Sequence, residues 1–187
     1  MNPKPKWDDY FMAIAFVASQ RSMDPNTQHG TVVAAQDKTI LSLGYNGPPR
    51  GMNDDLVPLT RPAKYSYFSH SELGAIANAA RHGIALKNST FYITGFPCEA
   101  CFRTIINVGA REIVYGPVSS ACVTQETKNI VNTMNNGQIT LRKHENDEFI
   151  EVIIETFSNL QNFYSPEYSN YDHLLQETSA KSVGENY

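Results

Sequence analysis

The sequence contains no long apolar run. The longest mixed stretch, Tyr10 to Ala18, is far too short to span a bilayer. Blocks of like charge are also missing. With 15 Lys+Arg against 19 Asp+Glu the formal net charge is −4, which excludes the broad basic field of a general nucleic-acid binder. Cysteine is scarce: Cys98, Cys101 and Cys122 are too few, and odd in number, for a secreted disulfide scaffold. Internal repeats are absent. Met1 to Trp7 is polar and carries proline, with no apolar h-region behind it. The chain therefore reads as soluble and cytoplasmic, with neither membrane nor nucleic acid as partner.

Apolar residues make up 41% of the 187 positions, and 10 Tyr and 9 Phe argue against a disordered chain. That length suits one core-bearing domain, expected over residues 1–161, with 162–187 as a Tyr-, Ser- and Asn-rich tail that is disordered or docked on a neighbouring subunit.

Trp7 to Arg21 has the apolar spacing of an amphipathic helix, closed by the turn residues Asp24-Pro25-Asn26. Two β-type runs, Thr31 to Ala35 and Thr39 to Tyr45, flank Gln36-Asp37-Lys38 and predict a hairpin. Asn46 to Ser69 is irregular and holds Pro48, Pro49, Pro58 and Pro62; so long a connection is more often functional than accidental. Beyond it helices and strands alternate. Helices are expected over Ser71 to His82, Cys98 to Val108, Thr124 to Met134 and Asp147 to Gln161, and strands over Thr90 to Thr94, Glu112 to Tyr115 and Gln138 to Arg142. This alternation predicts an α/β fold with a largely parallel sheet, helices on its faces, and the hairpin as an antiparallel edge.

Two segments carry chemistry: His70-Ser71-Glu72 and Pro97-Cys98-Glu99-Ala100-Cys101. Each falls where a helix should begin. Cys98 and Cys101, three apart, share one helix face and can bind one metal, and a helix N-terminus favours the thiolate that binding needs. His70 supplies a third ligand, leaving one tetrahedral position open, as in a catalytic zinc site. Glu72 is not needed as a ligand and is placed to exchange protons with a water on that position. Alone, the C-x-x-C could be a redox pair or half of a structural site, and Cys122 could complete such a site; a buried or incidental thiol is the preferred reading of Cys122. The H-x-E…P-C-x-x-C pattern as a whole is the signature of zinc nucleobase deaminases.

With Arg21-Ser22-Met23-Asp24-Pro25-Asn26-Thr27-Gln28-His29-Gly30, Gly44-Tyr45-Asn46-Gly47-Pro48-Pro49-Arg50-Gly51, His70-Ser71-Glu72-Leu73 with Ala75-Ile76, Phe96-Pro97-Cys98-Glu99-Ala100-Cys101 and Arg111-Glu112-Ile113-Val114-Tyr115 in this order, the chain resembles the deoxycytidylate (dCMP) deaminases of the cytidine deaminase-like superfamily. The resemblance runs from Trp7 to about Arg142. It implies a three-layer α-β-α fold with a five-stranded mixed sheet. It also implies one catalytic Zn²⁺ on His70, Cys98 and Cys101, and hydrolysis of dCMP to dUMP and ammonia, supplying dUMP for dTMP synthesis, with Glu72 as the catalytic proton carrier. Asn46, the backbone N–H of Ser71, and Tyr115 are the implied substrate contacts, with a core tyrosine as the alternative at Tyr115. Relatives of this kind are homo-oligomers, often hexamers, activated by dCTP and inhibited by dTTP. The effector, with Mg²⁺, is implied to lie on Asn46, Gly47, Arg50 and Gly51, where open amides and a guanidinium suit phosphate. Arg21, Arg61 and Lys64 are further phosphate candidates.

Three positions depart from the family pattern: Ser71 for Ala, Gly74 for Asn, and His29 for an apolar residue. Gly74 keeps open a deaminase of another cytosine or purine nucleotide. A non-catalytic nucleotide-binding protein that retains the fold is the rival from outside the enzymes. Some relatives hold a second zinc in the Asn46–Ser69 stretch; this one has no Cys or His there, so a single zinc is expected.

Overall fold

A computed structural model describes residues 4–156. The order is α1 (Trp7–Ser19), β1 (Gly30–Ala34), β2 (Ile40–Tyr45), α2 (Ser71–Arg81), β3 (Thr90–Gly95), α3 (Glu99–Asn107), β4 (Glu112–Val118), α4 (Gln125–Asn135), β5 (Thr140–Lys143) and α5 (Asp147–Thr156). The connection from 46 to 69 adds two 3-10 turns, Asp54–Leu56 and Ala63–Ser66. The expected helix to Gln161 is described only as far as Thr156, and the expected tail lies outside the described residues.

The five strands form one mixed sheet in the order β2-β1-β3-β4-β5. β1 pairs antiparallel with both β2 and β3, while β3, β4 and β5 run parallel. The hairpin is thus one edge of the sheet, but half of the pairings are antiparallel, more than the alternation of elements implied. The reason is β1, which lies between its hairpin partner and β3.

Side chains alternate across a strand, so each central strand feeds two cores. Val33, Phe91, Ile93, Ile113 and Tyr115 face Ala75 and Ala79 of α2, Phe102 and Ile105 of α3, and Val131 of α4. Val32, Ala34, Tyr92 and Val114 face Phe11, Met12, Ala15 and Phe16 of α1 and Ile150 of α5. This is the expected three-layer α-β-α architecture. No helix among the described residues is long and apolar enough to cross a membrane.

Element ends differ from the sequence expectation for local reasons. α1 stops at Ser19, whose hydroxyl turns back to donate to the Phe16 carbonyl at 2.7 Å. β4 runs on through Gly116 and Pro117 to Val118 because its parallel partner β3 continues beside it, Gly95 opposite Val118. β5 pairs only with Glu112 to Tyr115, so Pro117 breaks no ladder bond to it.

Candidate metal centre and its cavity

His70 and Cys98 are the N-cap residues of α2 and α3. Both have extended backbone (φ −71°, ψ 157° and φ −71°, ψ 164°), and neither side chain caps its own helix. Both are therefore free to point at a shared ligand. Cys101 comes from the first turn of α3. His70 Nδ1 stands 3.3 Å from Cys98 Sγ and 3.4 Å from Cys101 Sγ, and the three donor atoms lie within 4.8 Å of one another. Donors bound at about 2.0–2.3 Å around one tetrahedral ion sit roughly 3.3–3.8 Å apart. One imidazole nitrogen and two sulfurs at these separations fit a zinc ion.

Two helix N-termini converge here, and their dipoles favour negative sulfur. The S–H of Cys101, with Cys122 and His70, holds the Cys98 thiol far below its ordinary range, while Cys98 pushes Cys101 up. Gly44 brings the start of α2 onto the sheet: any side chain there would run into the Ser71 carbonyl and the Ala75 amide.

Glu72, 5% exposed, lies in the first turn of α2 beside this triangle. Burial raises its pKa, against the opposing pull of His70. Ser71, fully buried, donates from Oγ to Glu72 Oε2 at 3.1 Å and shares a 2.8 Å hydrogen bond with Thr31 Oγ1.

The triangle and Glu72 open on a cavity of about 380 Å³. Ile93, Phe96 and Phe68 are its apolar wall, and Asp24, Arg61 and Lys64 line its polar end. Lys64, 2% exposed, donates both to Oδ1 and to Oδ2 of the buried Asp24, at 2.5 and 2.6 Å. Asp24 also accepts from the backbone N–H of Asn26 and Thr27 and from Asn46 Nδ2. Asn46 completes this frame: its Oδ1 accepts from the His29 backbone at 2.7 Å and its Nδ2 donates to the Thr27 carbonyl at 2.9 Å. Arg61 at the mouth is exposed.

Of the residues singled out in the sequence, His70, Ser71, Glu72, Cys98 and Asn46 line the cavity, and Cys101 lies buried beside them. Tyr115 does not. It is 1% exposed in the core under α2 and α3, edge-on to Phe96, which stands between it and the cavity. Gly47, Arg50 and Gly51 lie off the cavity wall. Gly47 bridges to Ser69, Gly51 takes a left-handed φ of +88°, and Arg50 donates to Asn78 Oδ1 at 3.0 Å. His29, unaccounted for in the sequence, is on the wall with Nδ1 facing Thr94 Oγ1 at 3.3 Å. Burial pushes its imidazole down to about 4, so it is neutral at pH 7. Asp24 was legible as a turn former and as part of a family stretch, but not as the partner of Lys64, which lies 40 residues away.

A mixed sheet between two helical layers, with a His/Cys/Cys triangle on two helix starts beside a buried Glu, is the architecture of the cytidine deaminase-like proteins. The chain belongs to the cytidine and deoxycytidylate deaminase zinc-binding region family, whose profile matches residues 5–117. It is 40% identical over 116 residues to human deoxycytidylate deaminase, a match covering 59% of this chain and 64% of that one. It is 33% identical over 125 residues to the deoxycytidylate deaminase of Mycobacterium phage D29, covering 60% and 95%. The dCMP deaminase of cyanophage S-TIM5, solved in complex with dCMP and dUMP, has the same fold, with a TM-score of 0.64 at 21% identity over 76% of this chain and all of that one.

Proposed function

We propose that this chain hydrolyses dCMP to dUMP, releasing ammonia. The observation that carries the reading is the buried carboxyl of Glu72 beside the His70–Cys98–Cys101 triangle, on the wall of a cavity whose polar end carries Arg61. The 40% identity to the human deoxycytidylate deaminase supports dCMP as the substrate.

His70, Cys98 and Cys101 would hold zinc, which when bound lowers the pKa of its water toward about 7 and polarises the reacting centre. Glu72 takes the proton of the attacking water, gives it to the ring nitrogen next to C4, and carries a second to the departing amine. Its raised pKa suits a group that must be acid and base in one cycle. Ser71 keeps one carboxylate oxygen occupied, leaving Oε1 as the proton carrier. Phe96, Ile93 and Phe68 exclude water around the base, while the exposed Arg61 offers charge to a 5′-phosphate. Asn46 holds the loop against which the sugar packs.

The finer reading has the chain as a cytoplasmic homo-oligomer, hexamer favoured, activated by dCTP and inhibited by dTTP. Asn46, Gly47, Arg50 and Gly51 would take the effector triphosphate with Mg²⁺. The exposed Arg50 and the left-handed turn at Gly51 support this. The test is ammonia release from dCMP by zinc-loaded protein, with and without dCTP and dTTP, beside a panel of other cytosine and purine nucleotides. Turnover on dCMP that rises with dCTP is expected. No ammonia in any arm, with zinc bound, overturns the reading.

A further inference from the structure

Cys122 is the thiol that the donor triangle leaves over. It sits in the connection from β4 to α4, exposed on the cavity rim, with Ser120 Oγ 2.8 Å from its sulfur. It stands outside the set of three whose donors all lie within 4.8 Å of one another. β3 and β4 run parallel with Gly95 opposite Val118, so Cys98, three residues past Gly95, and Cys122, four past Val118, leave the sheet from neighbouring strands and line one cavity. A fourth metal ligand would have to be near all three donors. A sulfur outside that set but on the same cavity wall as Cys98 is placed for a different event, a covalent bond to that ligand.

We propose that Cys98 and Cys122 are a peroxide-sensitive disulfide pair, and that closing it dismantles the metal centre by withdrawing one of its three ligands. The proposal rests on reading the triangle as a zinc site.

The chemistry balances with hydrogen peroxide as the oxidant. The Cys98 thiolate attacks one peroxide oxygen and the O–O bond breaks. Cys98 becomes a sulfenic acid, and the second oxygen leaves as hydroxide, which takes a proton from solvent. The Cys122 thiol then attacks the sulfenic sulfur. The S–S bond forms, the S–O bond breaks, and the departing hydroxide leaves as water with the Cys122 proton. Two thiol sulfurs lose two electrons, and one peroxide becomes two waters. His70 and Cys101 remain as two ligands, too few to retain the ion at a site built for three. A thiol reductant reverses the step and is itself oxidised to its disulfide.

Position favours this pair. Cys98 lines the cavity, so a small oxidant reaches its sulfur, and Cys122 lines the same cavity on the next strand's exit, placed to trap the sulfenic acid. Cys122 lies between β4 and the start of α4, in a turn closed by the Val123 N–H on the Ser120 carbonyl at 3.0 Å, outside the strand ladder. A loop of this kind can close the remaining gap to a sulfur–sulfur bond of about 2.0 Å.

The test uses the zinc-loaded full chain and its Cys122→Ser variant. Zinc per chain is measured before peroxide, zinc release is followed with a metallochromic dye after it, and the linkage is mapped by non-reducing peptide mass analysis. The parent should release about one zinc per chain together with a Cys98–Cys122 linked peptide, and regain it on treatment with a thiol and zinc. The variant should release zinc about tenfold more slowly, with Cys98 driven on to the sulfinic acid. Equal release rates in the two proteins, or a linkage between Cys98 and Cys101, overturns the proposal while leaving the zinc site intact. A parent that carries no zinc before peroxide overturns the zinc reading, and this proposal with it.

Discussion

Ser71 donates its hydroxyl proton to Glu72 Oε2 at 3.1 Å, so the 2.8 Å contact between Ser71 and Thr31 has Thr31 as its donor. A directed chain of two hydroxyls thus ends on the carboxylate that carries the proposed proton transfers.

Removing it should act on the rate. Ser71→Ala is expected to lower kcat for dCMP about tenfold, with KM within about twofold, because a hydrogen bond to a charged group contributes roughly 1.5–3 kcal/mol and here holds geometry rather than substrate. Steady-state ammonia release measures the split. An unchanged kcat would reduce the chain to a packing feature.

Glu72 itself separates an enzyme from a binding protein. Glu72→Gln should bind zinc at the parent stoichiometry and lose turnover by about 10²–10⁴, the usual contribution of a positioned acid–base group. Metal analysis beside activity decides it, and full activity in the variant would exclude Glu72 as the proton carrier.

Lys64 and Asp24 form a buried pair, with side chains 3% and 7% exposed, that shapes the polar end of the cavity. Lys64→Met leaves a carboxylate buried without its cation and should cost about 3–5 kcal/mol in denaturant unfolding. Adding Asp24→Asn, which removes the charge while keeping a side chain that accepts from Asn26 and Thr27, should recover a large part of that loss. A double variant no more stable than Lys64→Met would show that the pair is not the source.

On the opposite face, His144 Nε2 meets Asp9 Oδ1 at 2.9 Å, and Asn146 donates to Asp9 Oδ2 at 3.1 Å, tying β5 and the start of α5 to α1. Burial lowers the His144 pKa from 6.5, outweighing the opposite pull of Asp9 and Asp8. The unfolded chain therefore binds this proton first. The contribution is complete above about pH 6.5 and is lost as pH falls from there toward the lowered folded value. Thermal melts from about pH 7.5 to 5 should show a smaller loss in His144→Gln than in the parent. Parallel slopes would remove His144 as the cause.

The order of elements and the donors His70, Cys98 and Cys101 were legible because each is written locally. Strand alternation marks its own faces, and C-x-x-C at a helix start presents both sulfurs on one side whatever surrounds it. The role of Asn46 was less legible. Its side chain is engaged with Asp24, Thr27 and His29, so it builds the cavity's frame, which no local pattern encodes. Tyr115 was ambiguous for a related reason: a strand-end aromatic can face a pocket or a core, and only the placement of Phe96 in front of it decides.

By itself, then, the sequence determined the α/β class, the metal-ligand set and the carboxyl beside it. These are short-range patterns whose geometry follows from helix and strand periods. Tertiary structure alone decided what surrounds them: Lys64 on Asp24 and Thr31 on Ser71 across 40 residues, and His144 on Asp9 across 135. Such pairs are set by where loops and strand ends meet after the sheet has formed. A single buried contact between distant residues repeats with no period and leaves no trace in the sequence on either side of it.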